Sequence, residues 1–411
     1  MRISGSALAL FAGLSVLVTA CGSNGASGSL SSVGSIPPTA APPASASSGP
    51  STSASAAARS DLAIGVITDL ETENHRDFNE LTVAGTQQGA AAIGAGPPPV
   101  IVPTSTELYA PLIQALVDQD FDVVVATGVN LVPATVAAAK ANPKVWFIGV
   151  DHAPCIDAAG AYDPSSKDCA GDISKLLPNY IAINYAEDQA GYLAGIVAAS
   201  ATKSKTIGAI GGVSRCGPCV RYLQGYMLGA KSVDAGIKVE TSFVSETDFD
   251  VGFADQAAGE AIAAKFLKDH PDVDVLFHAA SLTGAGNLTV KGVIDAACAA
   301  GITAIGVDVD QHQSYPASQG CILTSAEKRF SASISDSIVG ISAGTATGGL
   351  RSYDATNGGI AVSAYYDAAS RLPADIEGRI DAAIDGMKAG SVVTCPPAPE
   401  CGKTPAPKIG D

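Results

Sequence analysis

Residues 206–230 run TIGAIGGVSRCGPCVRYLQGYMLGA. A short apolar, β-prone run, "TIGAI", leads through a glycine-rich turn into a run with helical spacing, so the stretch reads as strand, turn and helix. Cys216 and Cys219 stand at the turn in the C-x-x-C spacing of redox dithiols. The helix N-terminus, with Arg215 and Arg221 close by, is a place where a thiol pKa is lowered. Two readings compete. Either the pair is the active site of a small thiol oxidoreductase domain, or the stretch is one β–α unit of a larger sheet and the pair is a local disulfide.

The flanking sequence repeats the β–α alternation. Strand candidates are "LAIGVIT", "FDVVVAT", "VWFIGV", "YIAINY", "TIGAI", "KVETSFV", "VDVLFHA", "TAIGV" and "CILTS". Helical spacing covers residues 78–93, 131–141, 189–199, 220–235, 255–268 and 288–300. Continuous apolar strands separated by helices describe parallel sheets covered on both faces, an α/β fold. No repeat of solenoid length is present. In such sheets ligands lie beyond the carboxyl ends of the strands. The residues there are Asp69, Thr127, Gly128, Asp151, Gly211, Gly212, Thr283, Gly284, Asp308 and Lys328. A single aspartate in that place commonly caps a helix or forms a turn. Their recurrence along one kind of edge points to a polar ligand site.

The ends and the composition set the compartment. Residues 1–20 read as an export signal, with Arg2 as the positive start and a mostly apolar run from Ala7 to Val18, too short for a typical span. "LVTAC" resembles a lipobox, with Cys21 as the lipidated first residue of the mature chain. Two or three acyl chains anchor stably where one does not. From Gly22 to about Ser60 the chain is Ser, Ala, Gly, Pro and Thr, a tether without the means to form a core. Residues 61–402 are more than one core needs, so two domains are expected, followed by a tail at 403–411. Losing Arg2 with the signal takes the formal charge from −16 to −17. An acidic body without a Lys/Arg cluster argues against nucleic acid and against electrostatic membrane binding. Eight cysteines remain beside Cys21, an even number that suggests disulfides outside the cytoplasm. Pairing sequence neighbours gives Cys155 with Cys169, Cys216 with Cys219, Cys298 with Cys321, and Cys395 with Cys401.

With these residues in hand, the body resembles the basic membrane protein family of ABC transporter substrate-binding lipoproteins, whose studied members include purine nucleoside receptors. The landmarks are "GVITD" followed by "DFNE", then "VVVATG", "WFIGVD", "EDQAGYLAG", "IGAIGG", "YLQGYMLGA", "FADQAAGEAIA", "AASLTGAGN", "IGVDVDQ" and "LTSAEK", in family order over residues 62–330. The resemblance implies a periplasmic-binding-protein type I fold, two doubly wound parallel-sheet lobes joined by a hinge, with the ligand between them. It implies that Phe78 and Phe253 sandwich a base, with Asp69 and Asn79 beside Phe78. Gly284 is the glycine of a G-x-G turn, Asp308 and Lys328 contact the ribose, and Glu187 or Asp188 adds an acidic contact. His75, Arg76 and Asp77 stand where many relatives have Asp-x-Ser.

Other chemistries are poorly supplied. A thioredoxin-like site wants a Trp before its first cysteine, but Arg215 precedes Cys216 and the only tryptophan is Trp146. His75, His152, His270, His278 and His312 have no metal-ligand spacing, and neither a Walker loop nor a G-x-S-x-G elbow is present. The expectation is a non-enzymatic receptor without cofactor or metal, lipid-anchored on the extracytoplasmic face of the cell membrane. It would deliver a nucleoside, purine by preference, to an ABC permease. The alternatives are another small polar or cationic ligand, or the Cys216/Cys219 oxidoreductase. Lobe 1 is expected at 61–185 plus 307–330, and lobe 2 at 186–306 plus 331–402.

Overall fold

A computed structural model describes residues 59–70, 78–165, 169–281 and 288–403. The export signal, Cys21, most of the tether, residues 75–77, Gly284 and residues 404–411 lie outside the described residues. In chain order the first lobe is β1 (Ile64–Ile67), α1 (Phe78–Ile93), β2 (Val100–Ile101), α2 (Tyr109–Val117), β3 (Val123–Thr127), α3 (Val132–Ala141), β4 (Trp146–Val150), α4 (Ile173–Leu176) and β5 (Tyr180–Tyr185). The second is α5 (Glu187–Ala201), β6 (Thr206–Val213), α6 (Gly217–Val233), β7 (Lys238–Ser245), α7 (Phe249–Ala254), α8 (Gln256–Asp269), β8 (Val275–Ala279), α9 (Leu288–Ala299), β9 (Thr303–Asp308), α10 (Gln311–Ser314) and β10 (Ile322–Lys328). After them come α11 (Phe330–Ser342), β11 (Gly349–Tyr353), β12 (Ile360–Val362) and α12 (Ile376–Lys388).

These strands make two six-stranded sheets, ordered β2-β1-β3-β4-β5-β11 and β7-β6-β8-β9-β10-β12. The orders are equivalent position by position. All pairings are parallel except that of β10 with β12. Both sheets belong to one compact unit. Their apolar strands are buried on both faces, as the sequence implies. Val123 and Val125 of β3 join Ile148 and Ile181 under α1 and α11, while Val124 and Ala126 join Phe147 and Tyr180 under α2 and α3. Alternate residues thus serve opposite faces, and each fully buried Val or Ile contributes roughly 1.5–3 kcal/mol. The second sheet packs under α5, α6 and α12 on one face and α8 and α9 on the other.

All nine expected strands form. The three that sequence reading missed are edge or near-edge pieces. β2 and β12 have two and three residues, and β11 exposes Leu350, Arg351 and Ser352. The expected lobe boundaries need correction. Strands β9 and β10 pair with each other, and β9 with β8, so 307–328 belongs to the second sheet. Conversely, Phe330 and Ile334 of α11 pack into the core with Phe78 of α1, and β11 registers on β5 from Gly349↔Ile181 to Tyr353↔Tyr185. Of the described residues, those within 59–185 and 330–353 therefore make lobe 1, and those within 187–328 and 355–403 make lobe 2. The chain crosses between them three times, after β5, β10 and β11. Strand-helix alternation alone does not say which sheet a late strand joins.

Among the described residues four disulfides are present, Cys155–Cys169, Cys216–Cys219, Cys298–Cys321 and Cys395–Cys401, the pairing of sequence neighbours. Among the described residues no helix is long and apolar enough to cross a membrane.

Candidate functional site

The tetrapeptide Ile-Gly-Val-Asp closes two equivalent strands, β4 at 148–151 and β9 at 305–308. Both terminal aspartates adopt a left-handed backbone, with φ 60° at Asp151 and 64° at Asp308. Aspartate tolerates that region better than most residues, and such conformations gather at functional sites. The turn aims both carboxylates at one ammonium. Lys328, the last residue of β10, has Nζ 3.0 and 3.1 Å from the oxygens of Asp151, 3.3 Å from Glu187 Oε1 and 3.4 Å from Asp308 Oδ1. Nζ also lies 5.6 Å from the ring centre of Tyr185 and 5.9 Å from that of Tyr222, within reach of a cation–π attraction.

Glu187 reaches this cluster because of how α5 and α6 meet. A Cβ on Gly225 would stand 1.9 Å from the Asp188 carbonyl oxygen, and one on Gly191 2.2 Å from that of Tyr222. The two helices therefore touch backbone to backbone, which sets Glu187 on the first turn of α5 beside Arg221 on the second turn of α6. Arg221 Nε and Nη2 both donate to Glu187 Oε2, at 2.9 and 2.7 Å. The other carboxylate oxygen is the one facing Lys328. From the next residue, Tyr222 OH donates to Asp308 Oδ1 at 2.9 Å.

The group is nearly dry: the Lys328, Glu187 and Asp308 side chains are 5%, 3% and 4% exposed. Burial pushes the Asp308 carboxyl above its ordinary pKa, and Asp151 adds to the rise, together outweighing the pull of Lys328 and the Tyr222 hydroxyl. For Lys328 burial acts downward, but Asp151, Asp308 and Glu187 overcome it and hold the ammonium above its ordinary value. Three carboxylates against two cations leave the cluster one formal charge negative. A cavity of about 190 Å³ opens over it between the lobes, with Val129, Tyr162, Pro218 and Val307 among its apolar walls. Asn184 lines it too. Its buried Oδ1 has no hydrogen-bond partner among the described residues.

Of the residues expected from sequence, Glu187, Asp308 and Lys328 come together here. Asp69 does not line the cavity. Its carboxylate accepts from the Tyr109 hydroxyl, from Asn130 Nδ2 at 3.2 Å and from Leu70 N at 2.7 Å. Asn79 bonds the Asp69 backbone at both N and O, so the pair ties the end of β1 to α1. Burial raises the Asp69 pKa, against the hydrogen bond from Tyr109. Phe78 packs edge-on against Phe330 at 5.0 Å within the lobe 1 core. Phe253 is fully buried in the lobe 2 core, where a Cβ on Gly212 would come within 2.3 Å of its ring. Neither ring lines the cavity: Phe78 opens α1 and Phe253 ends the short α7, and both are buried in their lobe's core.

Asn184, Arg221 and Tyr222 were not counted among the site residues from sequence, and Asp151 stood there only as one of the strand-end residues. The twin Ile-Gly-Val-Asp was a usable signal for Asp151; the other three lie on elements whose approach is visible only in three dimensions. The buried histidines are occupied structurally. His152 bridges Tyr180 OH at 2.6 Å and the Gly128 carbonyl at 2.8 Å, and burial lowers its pKa to about 4. His278 contacts Gln311 Oε1 at 2.8 Å, and burial brings it to about 3.

Two α/β lobes linked by three crossings, with a polar cleft at the carboxyl ends of both sheets, define a two-lobed substrate-binding protein of the periplasmic-binding type I class. The chain belongs to the Bmp family, described as "ABC transporter substrate-binding protein PnrA-like", whose family model matches residues 80–376. It is 28% identical over 342 residues to the "ABC transporter nucleoside-binding protein BmpA" of Lactococcus lactis subsp. cremoris, covering 78% of this chain and 89% of that one. It is also 28% identical over 262 residues to "Basic membrane protein A1" of Borrelia garinii subsp. bavariensis, covering 62% of this chain and 66% of the relative. Among solved structures, the solute-binding protein of an ABC transporter system from Conexibacter woesei superposes with a TM-score of 0.60 at 20% identity. That match covers 81% of this chain and 98% of the other, and it supports the fold. The protein is thus an ABC transporter substrate-binding protein and not an enzyme, and Cys216 and Cys219 are joined in a disulfide at the start of α6.

Proposed function

We propose that this protein receives a nucleoside, purine by preference, in the interlobe cleft on the extracytoplasmic face of the cell membrane, and that a lipid on Cys21 anchors it there. The observation that carries the ligand reading is the Lys328 cluster, fed by strand ends of both lobes. Carboxylates of Asp151 and Asp308 accept from adjacent hydroxyls, the ammonium donates to sugar oxygens, and Asn184 offers a further acceptor. Both cations are already matched by carboxylates, so a phosphate would meet a net negative site, which favours a nucleoside over a nucleotide. The nucleoside-binding name of the Lactococcus relative agrees with this reading. The net negative charge also suits a cationic or amine ligand, which is the second reading.

Calorimetry with nucleosides, free bases, sugars, amino acids and cations separates the two. Asp308→Ala removes a charged hydrogen-bond partner, a loss of about 1.5–3 kcal/mol, or roughly ten- to a hundredfold in nucleoside affinity. Weak binding of a free base changes little. Binding of an amine in place of any nucleoside refutes the nucleoside assignment and leaves the receptor intact.

A further inference from the structure

Two disulfide-closed loops meet at the side chain of Arg221. One is the Cys216–Cys219 turn that starts α6; the other is the C-terminal loop closed by Cys395–Cys401. The family match ends at residue 376, so the second loop lies beyond it. Each loop brings a glycine against the arginine. A Cβ on Gly217 would stand 3.5 Å from Arg221 Nη1, and one on Gly402 would stand 3.2 Å from Nη1 and 3.4 Å from Cγ. The glycines also face one another, with a Gly402 Cβ 3.5 Å from the Gly217 carbonyl. Gly402 further adopts φ 75°, a conformation other residues resist.

The C-terminal loop is fastened to both helices that carry the site. Gln224, fully buried and about one turn beyond Arg221, donates from Nε2 to the Glu400 carbonyl at 3.0 Å and accepts at Oε1 from Gly402 N at 2.9 Å. Thr394 donates its hydroxyl to Asp188, the neighbour of Glu187 on α5. Arg221 then fixes one oxygen of Glu187, whose other oxygen faces Lys328. The Arg221 side chain is 31% exposed and lines the cavity together with Cys216, Pro218 and Cys219.

We infer that these two loops form a clasp that positions Arg221, and through it Glu187 and Lys328, so that the Cys-Gly-Pro-Cys turn and the C-terminal loop together set ligand affinity. The Cys-Gly-Pro-Cys sequence then has a mechanical logic. The cysteines close the turn and the proline favours the helix start, which carries Arg221 one turn further on. The inference rests on the interlobe cleft being the ligand site.

The test uses the full chain with Cys395→Ala/Cys401→Ala and, as a milder change, Gly402→Ala. The control is Cys298→Ala/Cys321→Ala, whose disulfide does not line the cavity. Phenylglyoxal labelling of Arg221, read by peptide mapping without ligand, is expected to rise severalfold in both clasp variants and to stay at the parent level in the control. Calorimetry with inosine, adenosine and guanosine is expected to show about tenfold weaker binding in the clasp variants. That loss should be non-additive with the loss in Arg221→Lys, because all act through one side chain. Parent-level labelling of Arg221 in both clasp variants, or losses that simply add to that of Arg221→Lys, overturns the clasp. If the parent binds none of the three nucleosides, the nucleoside reading fails, and the labelling alone decides the clasp.

Discussion

Replacing Lys328 with Met tests the charge arrangement directly. The ammonium sits within 3.0–3.4 Å of Asp151, Glu187 and Asp308. Methionine keeps the length of the side chain but leaves three carboxylates with Arg221 as the one cation of the group. Removing one partner from a buried ion pair destabilises by about 3–5 kcal/mol. With an unfolding entropy of about 2.1 cal/mol/K per residue, a body of this size loses roughly 4–7 °C in Tm. The pH dependence supplies the sharper signature. The pKa of the Asp308 carboxyl is already raised in the folded protein. A raised carboxyl contributes stability that is full below its unfolded pKa and lost as pH rises through the folded one. Without Lys328 beside it the rise grows, so the variant recovers as acid protonates the cluster. Melting followed by circular dichroism should show the gap between parent and variant narrowing from pH 8 to pH 5. A gap below about 1 °C at pH 8, or one that does not change with pH, would refute the reasoning.

Three further outcomes are expected. Glu327 has its pKa raised from 4.5 to about 7 by burial, against the pull of Arg329, so its stabilising contribution is full below the ordinary value and is lost as pH rises through the folded one; Glu327→Gln should flatten Tm against pH between about 5 and 7, and an unchanged slope there counts against it. Gly225→Ala places a Cβ 1.9 Å from the Asp188 carbonyl and should destabilise by about 1–3 kcal/mol while weakening ligand binding in calorimetry, because it parts Glu187 from Arg221. Cys21→Ser should move the protein from the membrane to the soluble extracytoplasmic fraction, and full membrane retention would exclude Cys21 as the anchor.

The strands were legible because burial on both faces demands continuous apolar runs; "VVVAT" and "WFIGV" carry the whole signal within five residues each. β11 was not, since an edge strand that exposes Leu350, Arg351 and Ser352 has no such run. The acidic half of the site was legible for the same reason as the strands: Asp151 and Asp308 end them. Arg221 and Tyr222 were hidden because their roles depend on glycines that let α5 and α6 approach. The aromatic contacts expected by family resemblance are where sequence position and spatial position part. Phe78 begins α1 and Phe253 lies in the last turn of the short α7, and both rings turn into the cores.

The choice of charge at the lobe junction has a physical consequence for a protein that must both hold and release a ligand. Lys328 of lobe 2 meets Asp151 of lobe 1 at 3.0 Å, and apart from Val309 of lobe 2, which packs into the lobe 1 core, the buried apolar residues of these clusters stay within their own lobe. An apolar seam across the cleft would resist parting in proportion to the area it buries, roughly 25 cal/mol per Å². An ion pair behaves differently: when the lobes separate, both partners recover hydration, and the attraction lost is largely offset by the desolvation undone. The cluster can therefore be strongly oriented in the closed cleft without locking it. A ligand that takes up the Asp151 and Asp308 acceptors and donates to Asn184 adds its stabilisation only while both lobes are engaged, which ties closure to occupancy through contacts the lobes do not make by themselves.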